Sequence, residues 1–239
     1  MSLSWMPPRK STGYRGIFHL IMIVAVWPPV VVLFAVIGSG TMRLSLLGYA
    51  VTGLLMSIVS VATNRTVESG PGWVRLRKVD HTMIIVFVAG TFTPIATALD
   101  RPRAWLVLIV MWLLVPVRGA LAWLDWDRKR WVTAVVAIVS GALPLAALSG
   151  LGRPLTTVLV VGQVTYVIAA IIYNVERPNP WPSWCGYHGV FHGFTNVGSV
   201  LHLVVICLLI AVPTAALVLA LVIAVVVALV VARNARSYR

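Results

Sequence analysis

The chain has 239 residues, 60% of them hydrophobic and only 10% charged, with a mean hydropathy of +0.96. Soluble domains carry about 25% charged residues, so this composition has too little polar surface to cover a globule in water. The net charge of +13 does not mark a nucleic-acid partner either. The basic residues form short groups between apolar stretches rather than a stripe on a polar face, and there they act as topology signals and contacts to membrane lipids.

The apolar stretches have the ~20-residue length that crosses a hydrocarbon core as a helix, and none alternates as a barrel strand would. The predicted spans are 16–38, 43–63, 80–99, 103–124, 131–149, 154–174, 186–210 and 214–232. The first is too long for a signal-peptide core and lacks a cleavage site, so it is read as a retained helix. Gly38-Ser39-Gly40 closes it, and Gly70-Pro71-Gly72 is read as part of the loop after the second span. Asp100 to Arg103 ends the third, Asp125 to Arg130 the fourth, Gly150 to Pro154 the fifth and Arg177 to Pro182 the sixth. Glycine and proline at these places break helices or force turns. From His188 to Ala232 run 45 residues without a charge other than histidine. One helix of that length would reach ~67 Å at about 1.5 Å per residue, so Pro213 is read as a break before an eighth span.

These elements predict an all-α fold. It is a polytopic transmembrane helical bundle in a single domain, 1–239, with seven core helices in 16–210 and an extra C-terminal span at 214–232. Lysine and arginine set its orientation. Arg9, Lys10, Arg15, Arg65, Arg75, Arg77, Lys78, Arg118, Arg128, Lys129, Arg130 and Arg177 fall on one side, against Arg43, Arg101, Arg103 and Arg153 on the other. The N-terminus is therefore expected in the cytoplasm of a multi-pass cell-membrane protein. An eighth span would return Arg233, Arg236 and Arg239, and the C-terminus, to the same side. Trp105, Trp123, Trp126, Trp131 and Trp181 near span ends fit an interfacial belt. Cys207 inside a span and Cys185 in a cytoplasmic-side loop do not favour a disulfide.

Polar groups at membrane depth are costly and mark candidate sites. In the seventh span His188, His192, Thr195, Ser199 and His202 fall on one helical stripe, with Asn196 at its edge, and the stripe must face the bundle interior. His188 and His192 are four residues apart, so both imidazoles can reach one metal ion. The insert Gly189-Val190-Phe191 lacks the glutamate of a zinc-peptidase helix, and two helix histidines bonded to neighbours remain the bland reading. The topology adds to the pair. Asp80 and His81 open the predicted third span, Ser57, Ser60 and Asn64 lie on one face of the end of the second, and His19 lies about one turn into the first. All are expected at one depth on the cytoplasmic side. Asp80 also has plain readings, as an N-cap or as an ion-pair partner of Arg77 or Lys78. A carboxylate beside two imidazoles suits a metal-bound water and hydrolysis of a lipid amide or ester.

Three segments resemble the hemolysin III family, within the progestin and adipoQ receptor superfamily. They are Asp80-His81-Thr82 through Ala89-Gly90-Thr91-Phe92-Thr93-Pro94, then Arg177-Pro178-Asn179-Pro180-Trp181-Pro182 with Gly186-Tyr187-His188 and Phe191-His192, and Leu201-His202. Arg15-Gly16 with His19 is similar to the family's first-helix start. The resemblance runs from about residue 15 to 210. It implies seven core helices and a cytoplasmic-side zinc site built from a helix 2 histidine, two helix 7 histidines and a helix 3 aspartate acting through water. Carried over, His188 and His192 are the metal ligands, and Asp80 and Ser60 match the catalytic aspartate and serine. The third ligand position is occupied by Asn64, with His81 or His19 as possible substitutes, and Gly189 replaces the family's glutamate.

Asparagine is a neutral and poor zinc ligand beside imidazole. The zinc cofactor, weakened zinc and a metal-free site therefore all stay open. Two functions follow. One is a zinc-dependent hydrolase of lipid amide bonds, ceramidase-like, with a lipid substrate. The other is a non-enzymatic, receptor-like or structural membrane protein with a degenerate metal site. A cytolysin ranks below both, because so apolar a chain has no evident water-soluble form, and a transporter lacks intramembrane charges beyond Asp80.

Overall fold

The computed structural model describes residues 16–66, 70–124, 130–180, 182 and 186–212. The predicted eighth span, the N-terminal basic residues, Arg128, Lys129, Trp126, Trp181 and Cys185 lie outside the described residues. The described residues are largely helical and contain no strand. α1 is Ile17–Ile37, α2 Gly40–Arg65, α3 Gly70–Leu99, α4 Pro102–Trp123, α5 Arg130–Ala142, α6 Arg153–Val175 and α7 Gly186–Leu209. Six of these are long and apolar enough to cross a membrane. α5 is shorter and tightens into a 3-10 turn at Leu143–Ala147. Its predicted span, 131–149, is therefore not one continuous α-helix. Pro144 is the reason: it has no N–H to give the preceding turn, and its ring crowds the carbonyl four residues back.

α1 is interrupted too. A π-turn, Met22–Val26, precedes Pro28 and Pro29, and Trp27 N–H reaches back to the Met22 carbonyl. Two consecutive prolines remove two donors and push the preceding carbonyls outward, which widens the turn. One extra residue in a helix of 3.6 per turn rotates everything before it by about 100°, so the π-turn sets the direction in which His19 leaves α1.

The largest boundary difference is in α3. Gly70-Pro71-Gly72, expected in a loop, is the first turn of a 30-residue helix. That helix is about 45 Å long, so it projects beyond a ~30 Å core and carries Arg75, Arg77 and Lys78 on its first turns. Gly70 starts it at a positive φ of 81°, and Pro71 then sits among the first residues, where its missing N–H costs nothing. The expectation of Asp80 as an N-cap is thereby corrected: it is an interior residue of α3, in the third turn.

Packing follows chain order and closes on itself. α2 lies between α1 and α3, α4 and α5 pack on α3, α6 joins α5 to α7, and α7 returns to α1 and α3. α3 is the most buried of the spans. Its inner face, from Ala89 to Ala96, is largely small, so neighbouring backbones approach closely. The aromatic centre joins α1, α2 and α3. Trp27 meets Tyr49 and Phe87 edge-on at 5.6 and 5.8 Å between centroids, and Tyr49 stacks on Phe87 at 5.8 Å. Outward-facing Val32, Leu44, Leu106, Leu113, Val161 and Ile171 form an exposed apolar belt, as a lipid-facing surface requires. Trp123 and Trp131 are exposed at helix ends, in keeping with the expected interfacial belt.

Candidate functional site

Four helix segments of the sequence reading meet at one end of the bundle: the start of α1, the end of α2 and the start of α7, with α3 alongside. Gly16 begins α1 at a positive φ of 79° and lies against the backbone of Val61 and the Asn64 side chain on α2. That conformation suits glycine and lets His19 enter the bundle. On α7 the four-residue spacing of His188 and His192 aims both rings at the end of α2.

The side chains form a hydrogen-bonded chain. Asn64 Oδ1 is 2.7 Å from His188 Nε2, and Asn64 Nδ2 is 3.3 Å from His192 Nε2. The two Nε2 atoms are 3.0 Å apart. His192 Nδ1 lies 2.8 Å from His19 Nε2, with the rings edge-on at 4.5 Å. Asn64 Nδ2 also donates to the Ser60 carbonyl at 2.8 Å and approaches Ser60 Oγ at 3.3 Å. His19, Ser60 and His192 are buried, so each of these polar atoms must be matched internally.

One of these bonds fixes the protons of the rest. A backbone carbonyl only accepts, so the atom of Asn64 facing the Ser60 carbonyl is its NH2. Its oxygen then faces His188, and His188 must carry a proton on Nε2. His192 Nε2 accepts from the Asn64 NH2 and therefore holds a lone pair. A neutral His192 then carries its proton on Nδ1 and donates it to His19 Nε2. His19 in turn is protonated on Nδ1.

The donor set is a poor match for zinc. Zinc takes about four ligands, with imidazole nitrogens at roughly 2.0–2.1 Å. Two imidazole nitrogens and a neutral amide oxygen converge here. The third imidazole, His19, points its available nitrogen at His192 Nδ1 and not at the shared centre. His188 holds its proton on the nitrogen that would bind. Among the described residues no group of three His, Cys, Asp or Glu side chains is placed to hold a metal. As arranged, these residues do not fit a tightly held zinc.

The other expected site residues divide. Asp80 lies on α3 with Arg77, nearly one turn earlier, as the charge acting on it, and it makes no hydrogen bond to the histidines among the described residues. His81 is buried on the same helix. Ser57 belongs to the aromatic centre, where it accepts from Trp27 Nε1 at 2.9 Å. The α7 stripe faces the interior as expected but serves two interfaces. His188, His192 and Asn196 meet α1 and α2. Ser199 pairs with Tyr166 at 2.9 Å, and His202 reaches the Leu159 carbonyl at 3.2 Å, both on α6. Gly162 makes room for that ring, since a Cβ there would come within 2.6 Å of His202 Cδ2. Sequence reasoning missed Tyr166, which had no periodic partner to mark it. It also missed the bond from Asn196 Nδ2 to the Phe18 carbonyl at 2.9 Å, although Asn196 follows His192 by the four residues that place it on the same face.

Over residues 12–203 the chain matches the family described as "Haemolysin-III related". It is similar to "Hemolysin-3" of Bacillus cereus, 28% identical over 145 residues, which are 57% of this chain and 62% of that protein. It is also similar to "Hemolysin-3 homolog" of Bacillus subtilis (strain 168), 30% identical over 134 residues, 52% of this chain and 58% of that protein. The matched region thus spans less than two thirds of either relative. No solved structure matches.

Proposed function

The chain belongs to the haemolysin-III related family, and we propose that it works there as a non-enzymatic membrane protein, receptor-like or structural, whose polar centre operates without tightly bound zinc. The observation that carries this reading is the place of Asn64. It stands where a third imidazole would complete a metal site, and it engages both Nε2 atoms of the pair. It therefore acts twice against a metal. It removes one good ligand, and its oxygen holds His188 in the tautomer whose Nε2 lone pair is not available. The centre then serves as a buried polar tie among α1, α2 and α7.

A second reading has one observation in its favour. The two Nε2 atoms converge to 3.0 Å, close to the ~3.3 Å expected of two nitrogens on a tetrahedral zinc with bonds of about 2.0–2.1 Å. On that reading the protein is a zinc-dependent hydrolase of lipid amides, with Asp80 and Ser60 assisting, and His188 has changed tautomer.

One experiment separates the two. Elemental analysis of protein purified without chelator is expected to find little zinc in the wild type and about one zinc per chain in Asn64→His. One zinc per wild-type chain, lost in His188→Ala, would overturn the metal-free reading. Orientation belongs to the same proposal. The end bearing the cluster faces the cytoplasm, because Arg65, Arg75, Arg77 and Lys78 flank it while Arg43, Arg101, Arg103 and Arg153 lie at the opposite helix ends.

A further inference from the structure

The proton positions leave two buried atoms unmatched, and they are of opposite kind. His19 accepts at Nε2, so its proton lies on Nδ1, and that nitrogen is buried with no partner among the described residues. Asn196 gives Nδ2 to the Phe18 carbonyl. A carbonyl again fixes the amide, so Oδ1 is the remaining end, and it too is buried with no partner among the described residues. One is an unmet donor and the other an unmet acceptor.

The two lie on facing elements. Phe18 and His19 are consecutive on α1. Asn196 sits one turn beyond His192, the partner of His19, on α7. Two contacts therefore clamp the same turn of α1 to the same turn of α7, and each leaves one polar atom over. A buried, unsatisfied polar group costs about 1–3 kcal/mol, and in hydrocarbon no solvent relieves it.

From this pair we infer that the α1–α7 interface binds a single hydroxyl group, which accepts from His19 Nδ1–H and donates to Asn196 Oδ1. The chemistry selects the class. A hydroxyl carries both a lone pair and a proton. A carbonyl or carboxylate has no proton for Asn196, and an ammonium has no lone pair for His19. With the hydroxyl in place one hydrogen-bonded chain runs from Asn196 through His19 and His192 to Asn64 and the Ser60 carbonyl, tying three helices together. Water and the alcohol of a lipid headgroup offer the same group. The site does not depend on the metal-free reading, because a metal on His192 Nε2 would leave the same proton on Nδ1.

Solid-state NMR of histidine-15N protein, delipidated and reconstituted in bilayers, tests this directly. His19 is expected to be protonated on Nδ1, with that proton in contact with an exchanging hydroxyl. The contact in pure phosphatidylcholine bilayers, which have no alcohol, assigns water. Its appearance only when phosphatidylglycerol is added assigns the lipid alcohol. A proton found on Nε2 of His19, or an Nδ1–H without hydroxyl contact in both bilayers, would sink the proposal. In Asn196→Leu the contact should be lost while the His19–His192 pairing persists, and its retention would count equally against the site. The wild-type spectra decide the matter alone if that variant fails to fold.

Discussion

At the residue scale, a single side chain joins most of the polar centre. Asn64 bonds His188, His192 and the Ser60 carbonyl at once. Replacing it by leucine removes the amide oxygen that accepts from His188 and the NH2 that donates to His192. Asn64→Leu should therefore destabilise the bundle by about 1–3 kcal/mol, read as a lower unfolding midpoint in detergent, and an unchanged midpoint would show that the tie is not structural. The identity of the cluster was largely legible from spacing and topology: Ser60, Asn64, His188 and His192 do meet. What spacing did not convey was direction. His19 is, by position, one possible substitute ligand beside His81, and it faces the far nitrogen of His192. Which of two ring nitrogens a neighbour meets depends on a helix rotation that a residue count does not contain.

At the element scale, the helices were legible wherever hydrophobic length decided them and misjudged where backbone chemistry did. Charge suggested that α3 starts at Asp80, but helix formation ignores the hydrocarbon boundary, so three basic turns continue to Gly70. There Arg77 lies over Trp73 at 5.6 Å and Lys78 over Trp123 at 5.4 Å, contacts that hold cationic side chains on aromatic faces. Prolines explain the π-turn in α1 and the early end of α5. Close approach of α1 and α2 rests on Gly53, whose added Cβ would collide with the Trp27 ring. Trp27 is fully buried and held by Ser57, Tyr49 and Phe87, so it has little room to yield. Gly53→Ala should cost about 1–3 kcal/mol of stability, measurable by the same detergent unfolding. A neutral result would mean that the two helices can separate without loss.

At the scale of the whole molecule, the bundle closes when α7 returns to α1, and that closure brings residues 173 positions apart into a hydrogen bond. The proposed orientation predicts a labelling pattern. In a background lacking Cys185 and Cys207, an impermeant maleimide should label Arg103→Cys in intact cells and Arg75→Cys only after lysis, and the reverse pattern would refute the assigned sides. Sequence alone determined the solvent this protein lives in, its helical class, its family and the residue types of its polar centre. Those follow from composition, from the ~20-residue length of a hydrocarbon core and from local motifs. Tertiary structure alone decided how the polar groups are joined. Hydrogen-bond direction depends on the relative rotation of α1, α2 and α7, set in part by a π-turn and by glycines at contacts. The Ser60 carbonyl then dictates where every proton in the chain of imidazoles must lie.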